Sequence, residues 1–164
     1  MQKALDSGVA FTSNQVNYQL ISGGRAIAKS NNSAPARSAH SSASNLWSGE
    51  HGPYLVSIGA NGRSSNSSLS SRGVDFRQIA FNPETGNVAV ISGNIVVKIK
   101  PNYSAESIAA TYNINLTDNF EDISFAWYQV TTGQNIFTIA QNLRGHPGVV
   151  TADIEVREDY RQAR

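Results

Sequence analysis

Apolar and polar positions change their period several times between residues 93 and 156. Ile95, Val97 and Ile99 alternate with Val96, Lys98 and Lys100, the period of a strand with one buried face. Pro101-Asn102 ends that run. Ala105, Ile108, Ala109 and Tyr112 then recur at helical spacing. Ser104 is placed as the N-cap, Tyr103 and Ile108 stand at hydrophobic-staple spacing, and Asn113 suits a left-handed C-cap. Asn115–Phe120 and Ile123–Thr131 read as two further strands. Ile136, Ile139, Ala140 and Leu143 mark a second amphipathic helix, closed by Gly145 and Pro147. Gly148–Val156 completes the pattern, with Val150, Ala152, Ile154 and Val156 expected on one face.

The resulting order is β-α-β-β-α-β. Two helices, each lying between strands, can cover one face of a four-stranded antiparallel sheet and leave the other open, an α+β arrangement of the ferredoxin-like kind. The third strand carries aromatics on both sides. Phe125 and Trp127 point one way, and Ala126, Tyr128 and Val130 the other. A strand wet on one side is seldom apolar on both, so a partner is expected on the open face. Phe125, Trp127 and Tyr128 are the candidate docking residues.

Residues 1–92 are different in texture. "VNYQLIS" (Val16–Ser22), "PYLVSIG" (Pro53–Gly59), "VDFRQIAF" (Val74–Phe81) and "NVAVIS" (Asn87–Ser92) read as short strands. "FNPETGNV" has Pro and Gly where a hairpin loop wants them. Lys29–Pro53 and Arg63–Gly73 are serine-rich and bury too little apolar area to offset ordering, so both are expected to be mobile. The domain reading is an irregular, β-rich extension over 1–92 and a compact unit over 93–164.

Composition narrows the function. The 164 residues are 40% hydrophobic but only 15% charged, and the net charge is +1, so no global field draws the chain to nucleic acid or acidic membrane. Cysteine is absent, which removes disulfides, thiolate nucleophiles and zinc–thiolate sites. No apolar run approaches the roughly 20 residues of a membrane span. Met1-Gln-Lys-Ala-Leu-Asp has no leader-like apolar core, consistent with a start placed after a removed leader. His40, His51 and His146 stand apart from any spacing that supports a metal site or a Ser-His-Asp triad, and no G-x-S-x-G elbow occurs. "SGGR" (Ser22–Arg25) is too short for a phosphate loop. The expectation is a non-catalytic chain with no cofactor and no metal.

The segment "NIVVKIKPNYSAESIAATYNI", followed by "ISFAWYQVTTGQNIFTIAQNLRGHPGVVTADIEVRED", resembles the propeptide of subtilisin-like serine proteases. Leu143, Pro147-Gly148-Val149 and Ala152-Asp153 match that family's closing signature, and the resemblance spans about 93–159. It implies an intramolecular chaperone and tight inhibitor of a subtilisin-like catalytic domain, in cis or in trans. The open sheet face would dock on two surface helices of the protease. Asp153, with Glu155 as second choice, would cap their N-termini, where free N–H groups favour an acid. Tyr160, Arg161, Gln162, Ala163 and Arg164 would lie extended in the active-site cleft. A secreted or periplasmic bacterial location follows from the same resemblance, the leader being removed or outside this sequence. Two alternatives stand beside it. One is a free-standing protease inhibitor of the same fold. The other is an RRM-like RNA-binding module, which shares the element order and third-strand aromatics but wants Gly and basic residues that "SFAWYQV" lacks.

Overall fold

The computed structural model describes residues 9–29, 45–59 and 76–158 of the chain. Among them are nine strands, linked by pairing into a largely antiparallel sheet, and two α-helices, so the protein is α+β. The chain divides into two compact units, Met1–Ile91 with Arg157–Arg164, and Ser92–Val156.

The first unit is built from β1 (Ala10–Ser13), β2 (Val16–Ala28), β3 (Asn45–His51), β4 (Tyr54–Gly59), β5 (Phe76–Phe81) and the start of β6 (Val88–Ile99). Asn14 and Gln15 both take left-handed conformations, which makes a tight turn between the paired Ser13 and Val16. The β1 strand was not expected, because its turn lacks the glycine that usually announces such a hairpin. In β2 the register shifts between Leu20 and Arg25, at the Ser22-Gly23-Gly24 run. Gly23 has φ +75, and a Cβ on Gly24 would lie 2.4 Å from Ile79 Cγ1. The pair of glycines therefore serves a bulge and a close strand approach. Ile21, Ala26, Val56, Ile58, Ile79 and Val90 form the core here, with Tyr54, Phe81 and Val88 packed against it.

The serine-rich stretch Lys29–Pro53 departs from the expectation of a mobile loop. Its last part, Asn45–His51, pairs with β4 across a Gly52-Pro53 turn in which Gly52 has φ +53. Strand hydrogen bonds come from the backbone, so a strand at the end of the sheet order forms without two apolar faces. Residues 30–44 and 60–75, which hold the rest of both serine-rich segments, lie outside the described residues. Because β2 and β3 are each antiparallel to β4, they run parallel to one another, and parallel strands need a long connection.

A second departure concerns β6. The pattern suggested a break between residues 92 and 93, yet Val88–Ile99 is one strand. Gly93 takes φ +89 within it, so a residue that reads as punctuation is absorbed as a local irregularity. The first residues of β6 pair with β5 and the later ones with β8. The sheet accordingly holds nine described strands rather than a separate four-stranded layer.

In the second unit the order is β6, α1 (Ala105–Tyr112), β7 (Asn115–Phe120), a 3-10 turn at Glu121–Ile123, β8 (Phe125–Gln129), α2 (Ile136–Arg144) and β9 (Val149–Glu158). Strand neighbours run β9-β6-β8-β7. Hydrogen bonds from Ser92 Oγ to Glu155 O and from Lys100 N–H to Gly148 O, at 3.2 and 2.8 Å, set β9 antiparallel to β6. The helix ends follow the sequence. Ser104 Oγ accepts from Ser107 N–H, and Asn113 closes α1 at φ 53, ψ 47. Asn135 Oδ1 accepts from Phe137 and Thr138 N–H at the start of α2. Ile108, Ala109, Ile139, Ala140 and Leu143 are buried with Ile95, Val97, Ala126, Tyr128 and Ile154. In β9 it is Val149, not Val150, that joins them; Val150 is 52% exposed.

Candidate docking face

Burial divides β8 cleanly. Ala126 and Tyr128 are fully buried, while Phe125, Trp127 and Gln129 are half-buried. Tyr128 donates its hydroxyl to Ala105 O at 3.0 Å, beneath the first turn of α1. Burial first, and the nearby Glu106 carboxylate second, push its pKa well above the ordinary tyrosine value. Tyr128 thus belongs to the helix-covered side, which corrects its assignment to the docking face. The two other aromatics stay on the uncovered side, the one that no helix covers among the described residues.

The strand register arranges that side in three rows. Lys98, Phe125 and Phe120 form one, Val96, Trp127 and Asp118 the next, and Asn94, Gln129 and Asn115 the third. Trp127 meets Phe120 edge-on at 5.1 Å between ring centroids and Phe125 at 6.4 Å. Lys98 Nζ stands 5.8 Å from the Phe125 ring centre, a cation–π contact. At the β7–β8 end, Phe120 and Ile123 are 48% and 59% exposed. The face therefore grades from an aromatic end to an amide row. Tryptophan and phenylalanine left accessible on a rigid strand are the side chains that dominate binding when a partner covers them.

Phe120 was missed as a face residue. Counting by twos along β7 puts Phe120 with Leu116, but a register shift between Leu116 and Asp118 breaks the parity. Leu116 ends opposite the buried Tyr128 and Phe120 opposite Phe125. Nothing in "NLTDNF" announces that shift.

Asp153 and Glu155 alternate with the buried Ala152 and Ile154, so they share the uncovered side. Each has a partner within its own unit. Arg144 reaches from the last turn of α2, with Nη2 3.7 Å from Asp153 Oδ1 and Nε donating to Ala152 O at 2.8 Å. Both side chains of that ion pair are substantially solvated, so the pair is weak. Glu155 Oε2 accepts from Asn94 Nδ2 at 3.0 Å. The tail Tyr160, Arg161, Gln162, Ala163 and Arg164 lies outside the described residues, as does His40.

The remaining histidines make structural bonds. His146 Nδ1 accepts from Gly148 N–H at 3.0 Å, and its ring meets Tyr103 and Tyr112, each at 5.9 Å. The Tyr103 ring packs over Gly148, where a Cβ would come within 2.3 Å of it. His51 Nε2 lies 3.1 Å from Arg157 O. A cleft of about 270 Å³ near the start of α1 is lined by Lys100, Glu106, Asn119 and Glu121, among others.

What the geometry defines is an α+β chain whose most developed surface is an aromatic sheet face. Residues 6–163 match the family described as the open reading frame 2 N-terminal domain, and the chain belongs to that family. It is also similar to a chain of the crystal structure of the Aeromonas sobria serine protease (ASP) and chaperone (ORF2) complex. That similarity runs at 18% identity over 55% of this chain and 93% of the other, with a TM-score of 0.44. None of the curated proteins matches.

Proposed function

We propose that this protein is a non-catalytic folding chaperone and inhibitor of a subtilisin-like serine protease, exported to the periplasm or secreted with it. Residues 92–156 act as a ferredoxin-like docking module, and the C-terminal segment enters the active-site cleft. The observation that carries this reading is the uncovered face, where Phe120, Phe125 and Trp127 cluster on strands whose other side is sealed by α1 and α2. The family designation adds support: open reading frame 2 is also the designation of the chaperone in the Aeromonas sobria complex. In that complex chaperone and protease are named separately, and a chain acting in trans fits the same pattern. Asp153 and Glu155 remain the acids suited to helix N-termini of the protease: Asp153 forms a solvated pair with Arg144, and Glu155 accepts from the neutral amide of Asn94.

The chaperone role has a physical basis. Subtilisin-like domains close a parallel sheet through non-local contacts, which form slowly. A preformed face that binds the folding nucleus lowers that barrier. The RNA-binding alternative is weaker, because the three rows of the face contain one cation, Lys98, already over Phe125.

The test is refolding. A subtilisin-like serine protease from the same organism, diluted from denaturant, should regain activity faster with the full chain present and then be inhibited by it. A Phe125→Ser/Trp127→Ser variant should do neither well. Equal recovery with and without the wild-type chain, and no inhibition, would remove the reading.

A further inference from the structure

The end of β9 is gripped by side chains of the first unit. The Glu158 carboxylate accepts from Asn82 Nδ2 at 2.8 Å and from Thr85 Oγ1 at 3.4 Å. One residue earlier, the Arg157 carbonyl meets His51 Nε2 at 3.1 Å. A carbonyl only accepts, so His51 donates from Nε2 in this bond. Arg157 and Glu158 accordingly group with residues 1–91, although β9 begins in the other unit.

The receptor for Glu158 is preformed. Asn82 is 3% exposed. Its Oδ1 accepts from Glu84 and Thr85 N–H at 2.9 and 3.3 Å, and its own N–H donates to Asn87 O at 2.9 Å. Those bonds fix which way the amide points: oxygen into the β5–β6 turn, nitrogen toward Glu158. The "FNPETGN" stretch thus does more than reverse the chain. It presents one amide and one hydroxyl to a carboxylate 76 residues away in sequence.

We propose that the N-terminal unit is a clamp on the root of the C-terminal segment, with Asn82, Thr85 and His51 as positioning residues for Arg157 and Glu158. This rests on the reading of that segment as the cleft-binding tail, and it gives residues 1–91 a role in inhibition. Two residues ordered before binding do not have to be ordered during it. Fixing a backbone residue costs enough that releasing both should weaken inhibition by about ten-fold or more.

The experiment compares the full chain with three variants, using hydrogen–deuterium exchange at residues 157–158 and inhibition of two probes, the Aeromonas sobria serine protease and a bacterial subtilisin. Glu158→Ala removes the gripped group. Asn82→Asp keeps the oxygen that builds the turn but turns a carboxylate on Glu158. The Asn82→Asp/Glu158→Gln double variant restores a hydrogen bond with donor and acceptor exchanged. Both single variants should lose protection at 157–158 by at least about ten-fold and inhibit correspondingly less. The double variant should recover both, and protection elsewhere should hold in all three. If Asn82→Asp does not fold, Thr85→Val and Glu158→Ala carry the comparison. Unchanged protection in the single variants overturns the clamp, as does loss spread evenly over the chain. Wild-type inhibition that survives clamp release at full strength overturns its role in inhibition. If the wild type inhibits neither probe, the proposed function fails, while exchange still decides the clamp.

Discussion

Tyr128 shows how a single side chain decides which face of a strand is free. Its ring fills the space under α1 and its hydroxyl donates to Ala105 O. Tyr128→Phe should lower unfolding stability by about 1 kcal/mol in urea titrations, the net worth of one buried hydrogen bond. The raised pKa has a pH consequence. Folding favours the protonated phenol, so its contribution is complete below the unfolded tyrosine pKa of about 10 and declines as pH rises past it. Unfolding free energy should therefore fall above about pH 10, less steeply in Tyr128→Phe. Asn113 offers a second residue-scale check. Held at φ 53 at the end of α1, it should tolerate glycine without loss, whereas alanine should cost about 1 kcal/mol. The helix caps and buried stripes were legible in the sequence because each depends on residues within a turn of one another. The side occupied by Tyr128 was half legible. Parity separated it from Trp127, but only the covering helix says which side is wet.

At the scale of elements, register is what the sequence conceals. A bulge leaves no fixed residue signature, so Leu116 and Phe120 fall on opposite sides although their numbers agree in parity. The same holds for β2, where glycine spacing looks like a loop until the partner strand is known. The turn after α2 is more readable: Gly145 and Pro147 stop the helix, while Gly148 leaves room for the packing of Tyr103 and the bond to His146. Gly148→Ala should displace the Tyr103 ring and cost about 1–3 kcal/mol in thermal or urea unfolding. Ser104→Ala should cost about 1 kcal/mol through the lost N-cap. Neither change touches Phe125 or Trp127. Protein that remains folded should bind the proposed protease partner as the wild type does.

At the scale of the whole chain there are two compact units, and β6 and β9 each have residues in both. Composition suggested an irregular, β-rich extension over residues 1–92; Met1–Ile91 with Arg157–Arg164 form a compact unit with its own apolar core. That core was obscured because its strands are separated by serine-rich stretches and paired out of sequence order. The aromatic pair, by contrast, was visible in "SFAWYQV", since alternation puts Phe125 and Trp127 on one side of the strand. The most direct test is the dissociation constant between the full chain and the proposed subtilisin-like protease partner, measured by calorimetry for wild type and for Trp127→Ala. Loss of a central aromatic anchor should weaken binding by at least about thirty-fold, near 2 kcal/mol, with the variant's melting temperature little changed. An unaltered dissociation constant would contradict the account.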